Sequence, residues 1–141
     1  MERPISIIWF ERCYLGAVAV GLVNTALSFN ASIQRLSENP AAARFGPSFG
    51  SNMLLFGTAI GIAISATLWF FTARKRSVVA KWIIAAFFAL SLVGVLSGAA
   101  MGTIQPGLGG VLAVVALVLN GIAAWKLFQP DARAWFGEPV A

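Results

Sequence analysis

Apolar residues along the chain fall into four long stretches separated by short polar or glycine-containing segments. The stretches cover residues 5–29, 53–73, 78–101 and 108–128. A helix that crosses the hydrocarbon core of a bilayer needs about 20 apolar residues, and each stretch meets this length. The pattern predicts an all-α fold: an integral membrane four-helix bundle in which residues 1–141 form a single membrane domain.

The connections between the predicted spans differ in length and composition. Residues 30–52 form the longest one, and Asn30 could cap a short helix along the membrane surface that carries Ile33 and Leu36. A plain polar loop is the alternative. Residues 129–141 form a tail, and Pro130 is expected to end the fourth helix because proline lacks an amide hydrogen.

Composition narrows the possible chemistry. Hydrophobic residues make up 59% of the chain and charged residues 11%, with a mean hydropathy of +0.84, which is outside the range of soluble domains. The chain has no His, one Cys (Cys13) and five acidic residues. Histidine ligand sets, thiol pairs and Ser-His-Asp triads are therefore excluded, and we expect a protein without catalytic, cofactor-binding or metal-binding residues.

The basic residues behind the net charge of +5 indicate the orientation of the protein in the membrane rather than nucleic-acid binding. Eight of the ten basic residues flank the ends of the spans that share a side with the termini, whereas only Arg35 and Arg44 fall on the other side. Because basic flanks stay in the cytoplasm, we expect both termini inside a bacterial inner membrane, with residues 30–52 in the periplasm. Aromatic residues at the same end are expected to anchor the protein at the membrane interface: Trp9, Trp69, Trp82, Trp125, Trp135 and Phe136. Docking of the last two on a partner is the alternative.

Small residues recur at helical spacing in two of the spans. Residues four apart lie on one helix face, and small residues let helix backbones approach closely in lipid. We call these two faces the small-residue seams and expect them to make helix contacts, either within the bundle or with a second protein or copy. Their residues are Gly57, Gly61 and Ser65 in the second span and Gly94, Gly98 and Gly102 in the third.

Four polar residues in or near the spans are candidates for a functional role: Glu11, Asn24, Lys81 and Asn120. The two asparagines are expected to make interhelical hydrogen bonds. An intramembrane carboxylate suggests function, and depth in the membrane favours Lys81 or Asn120 as the partner of Glu11, whereas sequence proximity favours Arg12. Glu11 either forms an interfacial ion pair or couples the protein to protons.

Four short segments give the chain a family likeness: residues 9–12, 68–77, 80–82 and 130–136. On these segments the chain resembles small four-span inner-membrane proteins of Gram-negative bacteria that have no established activity. This resemblance supplies no catalytic residues. Glu11 also suggests the small multidrug-resistance transporters, but the long connection and the bulky neighbours of Glu11 depart from that family.

These observations predict a non-catalytic membrane protein that acts through helix contacts. We expect an accessory, assembly or stabilising subunit of a larger membrane complex, or a homo-oligomer, with the bilayer and another membrane protein as its partners. A small oligomeric transporter or channel that uses Glu11, Asn24 and Asn120 is the alternative.

Overall fold

The computed structural model describes residues 3–46, 48–103 and 106–139, and within these ranges all regular secondary structure is helical. Four of the helices are long and apolar enough to cross a membrane, which confirms the predicted helical membrane architecture. The six helices are α1 (Ile5–Ser37), α2 (Pro40–Ala43), α3 (Phe49–Ala73), α4 (Val78–Ala100), α5 (Leu108–Lys126) and α6 (Pro130–Trp135).

The four long helices form a ring in the order α1, α3, α4, α5, and α5 returns to pack along α1. The contact between α1 and α5 is the most extensive, although these two helices are the farthest apart in sequence among the four. Short connections make successive helices antiparallel. The start of α1, the α3–α4 turn, the end of α5 and α6 thus lie at one end, called the α6 end below; the opposite end is the α2 end.

The first helix is longer than the hydrophobic pattern predicted. It continues without interruption from Ile5 to Ser37, so Asn30 lies inside it and does not cap a separate helix. At 33 residues it is about 50 Å long, more than the roughly 30 Å of a hydrocarbon core. The short helix in this connection is α2, whose first turn is capped by Asn39 through a 3.0 Å bond from the Ala41 amide.

Helix ends elsewhere lie close to the predicted bounds. The third helix begins at Phe49, four residues before the predicted start, and α4 ends at Ala100. The fifth ends at Lys126, before Pro130 could interrupt it. Pro130 instead occupies the first turn of α6, where its missing amide hydrogen costs nothing.

The hydrophobic core lies at the α6 end of the bundle. Its ten buried residues come from α1, α3, α4, α5 and α6 and from the residues directly after α5 and α6, and the first turns of α1 contribute the largest share, four of them. Toward the α2 end the helices are more exposed: the buried residues of α1 all lie between Ser6 and Ala17, and those of α3 are Thr72 and Ala73 at its last turn. The core consists of Ile7, Phe10, Cys13, Tyr14, Ala73, Ile84, Ala123, Leu127, Ala132 and Phe136.

Candidate functional site

A buried lysine occupies the α6 end. Lys81, in the first turns of α4, is 1% exposed, and its Nζ lies 2.6 Å from Oε2 of Glu138. The same Nζ lies 4.7 Å from the ring centre of Phe128 and 5.4 Å from that of Phe136. A buried ammonium group is costly unless it is paired. Here one carboxylate and two aromatic faces compensate for the lost water.

The turn after α6 brings Glu138 to the lysine. Gly137 has a φ of +73°, a left-handed conformation that glycine adopts without strain. The amides of Gly137 and Glu138 donate to the carbonyls of Ala134 and Arg133, at 3.1 and 3.0 Å, which terminates the helix in a Schellman motif. The chain thereby reverses at Gly137 and directs Glu138 back toward α4.

A second polar contact ties α6 to the start of α1. The Ser6 hydroxyl donates to Oδ1 of Asp131 at 2.7 Å, and the Ser6 amide donates to Oδ2 at 3.1 Å. An amide in the first turn of a helix has no partner within that helix, and a carboxylate there is favoured by the helix dipole. Asp131 therefore caps α1 from another part of the chain.

These bonds change the acidity of Asp131. Partial burial by itself would raise the pKa of this carboxyl group, but the hydrogen bonds from the Ser6 side chain and backbone, with those from the first amides of α6, outweigh it. The pKa of Asp131 is consequently lowered from its usual value.

Glu11 pairs with none of the three partners that the sequence favoured. Its Oε2 lies 3.2 Å from Nη1 of Arg3, and both side chains are partly exposed at the α6 end. Lys81 forms its ion pair with Glu138, and Arg12 is exposed. The expectation of Lys81, Asn120 or Arg12 as the partner was therefore wrong, because the start of α1 brings Arg3 back beside the next turns of its own helix.

The two asparagines occupy different surroundings. Oδ1 of Asn24 is buried and has no hydrogen-bond partner among the described residues, so the interhelical bond expected of Asn24 is not formed there. Asn120 lines a cleft between the four long helices. Glu11, Asn24 and Asn120 thus have separate surroundings, and the transporter or channel alternative stays a prediction.

That cleft has a volume of about 430 Å³ and lies between the core and the α2 end. All four long helices contribute to it, and none of the described residues that line it is charged. Its apolar surface is interrupted by several hydroxyl and amide groups, from Tyr14, Thr25, Thr58, Ser65, Ser91 and Asn120.

The small-residue seams do not make the helix contacts within the bundle that were one of the two expectations from the sequence. Among the described residues, a Cβ atom added at Gly57, Gly61 or Gly94 would meet no atom within 4 Å, so no described helix packs closely against the seam at these positions. Gly61 and Ser65 instead line the cleft. Packing within the bundle through these three glycines was therefore a wrong interpretation, because each of them faces open space.

Gly102 has a different function from the one expected. It follows the end of α4 with a φ of +65°, and the amides of Gly102 and Thr103 donate to the carbonyls of Ala99 and Gly98. Gly102 thus terminates the helix rather than contributing to a helix contact. Gly98, the middle member of the same seam, is partly buried within α4.

Close helix packing occurs at glycines outside the seams. A Cβ on Gly121 of α5 would lie 3.2 Å from two ring carbons of Phe88 on α4. A Cβ on Gly16 of α1 would lie 3.7 Å from Leu119 of α5. Neither glycine belongs to a repeated pattern in the sequence, so periodicity offered no signal for them.

The aromatic residues at the α6 end divide into two groups. Trp9, Trp82 and Trp125 are exposed by 48%, 60% and 61%, and their role as interfacial anchors stays a prediction. Phe136 is 8% exposed in the core, and Trp135 packs against it with the Arg76 guanidinium 4.0 Å from its ring centre. Phe136 is therefore a core residue and not an exposed anchor or docking residue, whereas Trp135 is only partly buried and its interfacial or docking role stays a prediction. Trp69 likewise packs on the core.

Sequence reasoning missed the three polar residues that fix α6: Ser6, Asp131 and Glu138. A signal was available for one of them, since Asp131 directly follows Pro130, a combination typical of a helix start. Ser6 and Glu138 gave none, because their partners lie 125 and 57 residues away in the chain.

The described residues contain no group of three or more His, Cys, Asp or Glu side chains that could hold a metal ion. Comparison with models of protein families, with curated proteins and with solved structures found no match. The candidate site is therefore defined by its own geometry: a tightly packed α6 end, an uncharged cleft, and exposed small-residue positions on α3 and α4.

Proposed function

We propose that this chain is a non-catalytic inner-membrane protein that acts by packing against the helices of another membrane protein, as an accessory or stabilising subunit. The observation that carries the proposal is the exposure of Gly94 on α4. No atom of the described residues lies within 4 Å of a Cβ added there, and its neighbours Leu90 and Val93 are 68% and 63% exposed. A bare glycine backbone between apolar side chains favours close contact with another helix.

The partner that fits this face is an uncharged apolar helix. Leu90, Val93 and Leu96 supply apolar side chains, and Gly94 supplies the space in which a second backbone can approach. Helices in lipid associate through such van der Waals packing, since the surrounding acyl chains are as apolar as the side chains. A charged or strongly polar segment would find no compensating group here.

The test compares complexes extracted from native membranes in a mild detergent. We expect the wild-type chain to migrate on a native gel with an unrelated membrane protein in fixed stoichiometry. Gly94→Leu should release the chain from the complex, whereas Gly94→Ala should retain it because one methyl group still permits close approach. Photocrosslinking from position 93 should join the chain to that same protein.

Gly121→Leu serves as the folding control, since it places a large side chain against Phe88 inside the bundle. It should lower thermal stability, whereas Gly94→Leu should not. Recovery of the wild-type chain only with copies of itself, or as a single chain in every extract, would contradict the subunit proposal.

We further propose that both termini are cytoplasmic. The support is the clustering of basic residues at the α6 end, among them Arg3, Arg74, Lys75, Arg76 and Lys126, because basic flanks remain on the cytoplasmic side.

A further inference from the structure

We propose that the cleft between the four long helices binds a single uncharged amphiphile, with a hydroxyl or carbonyl head group and an apolar chain. The proposal is independent of the partner contact on α4, because it rests on a different surface of the molecule. The volume of the cleft, about 430 Å³, lies within the range of ligand pockets, roughly 300–1,000 Å³.

Three of the six polar side chains of the cleft lie at a similar depth. From the α6 end, Tyr14 lies about 14 Å along α1, Ser65 about 12 Å along α3 and Asn120 about 9 Å along α5. Tyr14 and Ser65 line the same cleft, and Leu119, which precedes Asn120, packs beside Gly16 two residues after Tyr14. Three helices thus bring hydrogen-bonding groups to one level below the membrane surface, and these three residues are called the polar level below.

The remaining part of the cleft is apolar over most of its length. Leu22 of α1 and Ile62 of α3 line it between the polar level and the α2 end, and Phe87 of α4 lies beside the polar level. The hydroxyl groups of Thr25 and Ser91, toward the α2 end, donate to carbonyls of their own helices at 2.9 and 2.8 Å. They are thereby largely satisfied, and apart from the Thr58 hydroxyl the surface that remains suits an alkyl or isoprenoid chain.

The side-chain amide of Asn120 is the polar group of the cleft that a ligand would pair by a hydrogen bond. The hydrogen bonds of the intramembrane hydroxyl groups run to their own backbone, and none among the described residues involves the Asn120 amide. An amide within the bilayer has no water to bind, and leaving it without a partner is costly. A hydroxyl or carbonyl oxygen at the polar level would accept from its NH₂ group.

Charge complementarity restricts the class of ligand. No Lys, Arg, Asp or Glu is among the described lining residues, so neither a carboxylate nor an ammonium head group would find a counter-ion. Desolvating such a charge at this depth is far more costly than desolvating a hydroxyl. A neutral head group is therefore preferred over an anionic or cationic one of the same chain length.

The small residues of α3 create the space that the ligand occupies. Gly61 lines the cleft, and a Cβ added there meets no atom within 4 Å. A leucine at position 61 would project into the cleft without striking the rest of the bundle. Gly57, one turn away, is equally open but does not line the cleft, which makes it a matched control.

The experiment uses the full chain, purified and reconstituted alone into phosphatidylcholine vesicles, so that its result does not depend on any partner protein. Three photoreactive probes of equal chain length are compared: a long-chain alcohol, the matching carboxylate and the matching alkane, each with a diazirine on the chain. Labelled positions are identified by mass spectrometry. We expect the alcohol to label the cleft residues Leu22, Ile62 and Phe87 in preference to the other two probes.

Two variants decide the outcome. Gly61→Leu should lower alcohol labelling of the cleft by about tenfold, whereas Gly57→Leu should leave it unchanged. Asn120→Leu should reduce the preference for alcohol over alkane by about threefold to tenfold, the effect of one lost hydrogen bond. Thermal unfolding of each variant checks the fold, and Ser65→Ala replaces any variant that fails this check.

Equal labelling by alcohol and alkane would show that bulk acyl chains fill the cleft and would overturn the proposal. Stronger labelling by the carboxylate would overturn the neutral class of ligand. Labelling that spreads over the outward faces of α3 and α4, with no loss in Gly61→Leu, would contradict a binding site altogether.

Discussion

The ion pair between Lys81 and Glu138 shows how a single residue shapes the α6 end. An unpaired ammonium buried to 1% exposure would be strongly unfavourable, so the side chain is compatible with the core only while the carboxylate faces it. Lys81 is thus a structural residue that holds the end of the chain against α4.

We expect Glu138→Gln to lower the free energy of unfolding by about 2 kcal/mol, because it leaves the buried ammonium without its counter-charge. The partial exposure of Glu138, 24%, keeps the loss below that of a fully buried pair. The measurement is reversible unfolding in mixed micelles of dodecyl sulfate and a mild detergent. Glu38→Gln, at an exposed position near the α2 end, is the control and should have no effect. Equal stability of the wild type and Glu138→Gln would show that the ion pair contributes nothing.

Among the elements, α6 is the one whose position the hydrophobic pattern did not indicate. It is 6 residues long, too short to be stable on its own. Ala132 and Phe136 bury it in the core, the Asp131 carboxylate joins it to α1, and Glu138 joins it to α4. The helix is therefore held by tertiary contacts with the two helices that it bridges.

The Asp131 contact makes stability depend on pH at the acidic end of the range. Because the pKa of Asp131 is lower in the folded chain than in the unfolded chain, its contribution is present above the unfolded value of about 3.9. It is lost as the pH falls through the folded value. At neutral pH we expect Asp131→Asn to be less stable than the wild type, and the difference should diminish below about pH 4.

The unfolding free energies of both proteins at neutral and acidic pH give this comparison. A Ser6→Ala background supplies the control, since Ser6 donates both bonds and loss of its hydroxyl should weaken the effect of Asp131→Asn. A difference between Asp131→Asn and wild type that stays constant with pH would mean that the carboxylate charge does not cap α1.

On the scale of the whole molecule, packing is uneven along the bundle. The α6 end has a continuous core, whereas the region toward the α2 end contains the cleft and carries exposed glycines on α3 and α4. Such exposed apolar helix surfaces are not unfavourable in a membrane protein, because lipid acyl chains surround them. This distribution places the proposed partner contact and the proposed ligand site on surfaces that are not needed to hold the bundle together.

The orientation of the whole molecule is tested with reporters. Alkaline phosphatase, which needs disulfides formed outside the cytoplasm, should be inactive when fused after residue 141 and active when inserted after residue 44. A cytoplasmic fluorescent reporter should give the opposite result. An active phosphatase at the C-terminal fusion would contradict the positive-inside assignment.

The sequence by itself determined the number of long helices and their approximate ends. A bilayer admits few solutions for an apolar chain, since every backbone polar group must be satisfied inside its own helix. Length and hydropathy are local properties, so they can be read without knowing which helix packs against which. The pattern therefore located the four spans to within a few residues at most of their ends, except at the end of α1.

Tertiary structure alone decided which residues meet. The close α1–α5 contact, the pairing of Glu11 with Arg3 and of Lys81 with Glu138, and the burial of Phe136 depend on how the chain folds back on itself. The same holds for the glycines: spacing indicated Gly57 and Gly61, yet Gly121 packs more closely than either. A repeated spacing shows that residues share a helix face, but only the rotation and crossing of the helices determine what that face contacts.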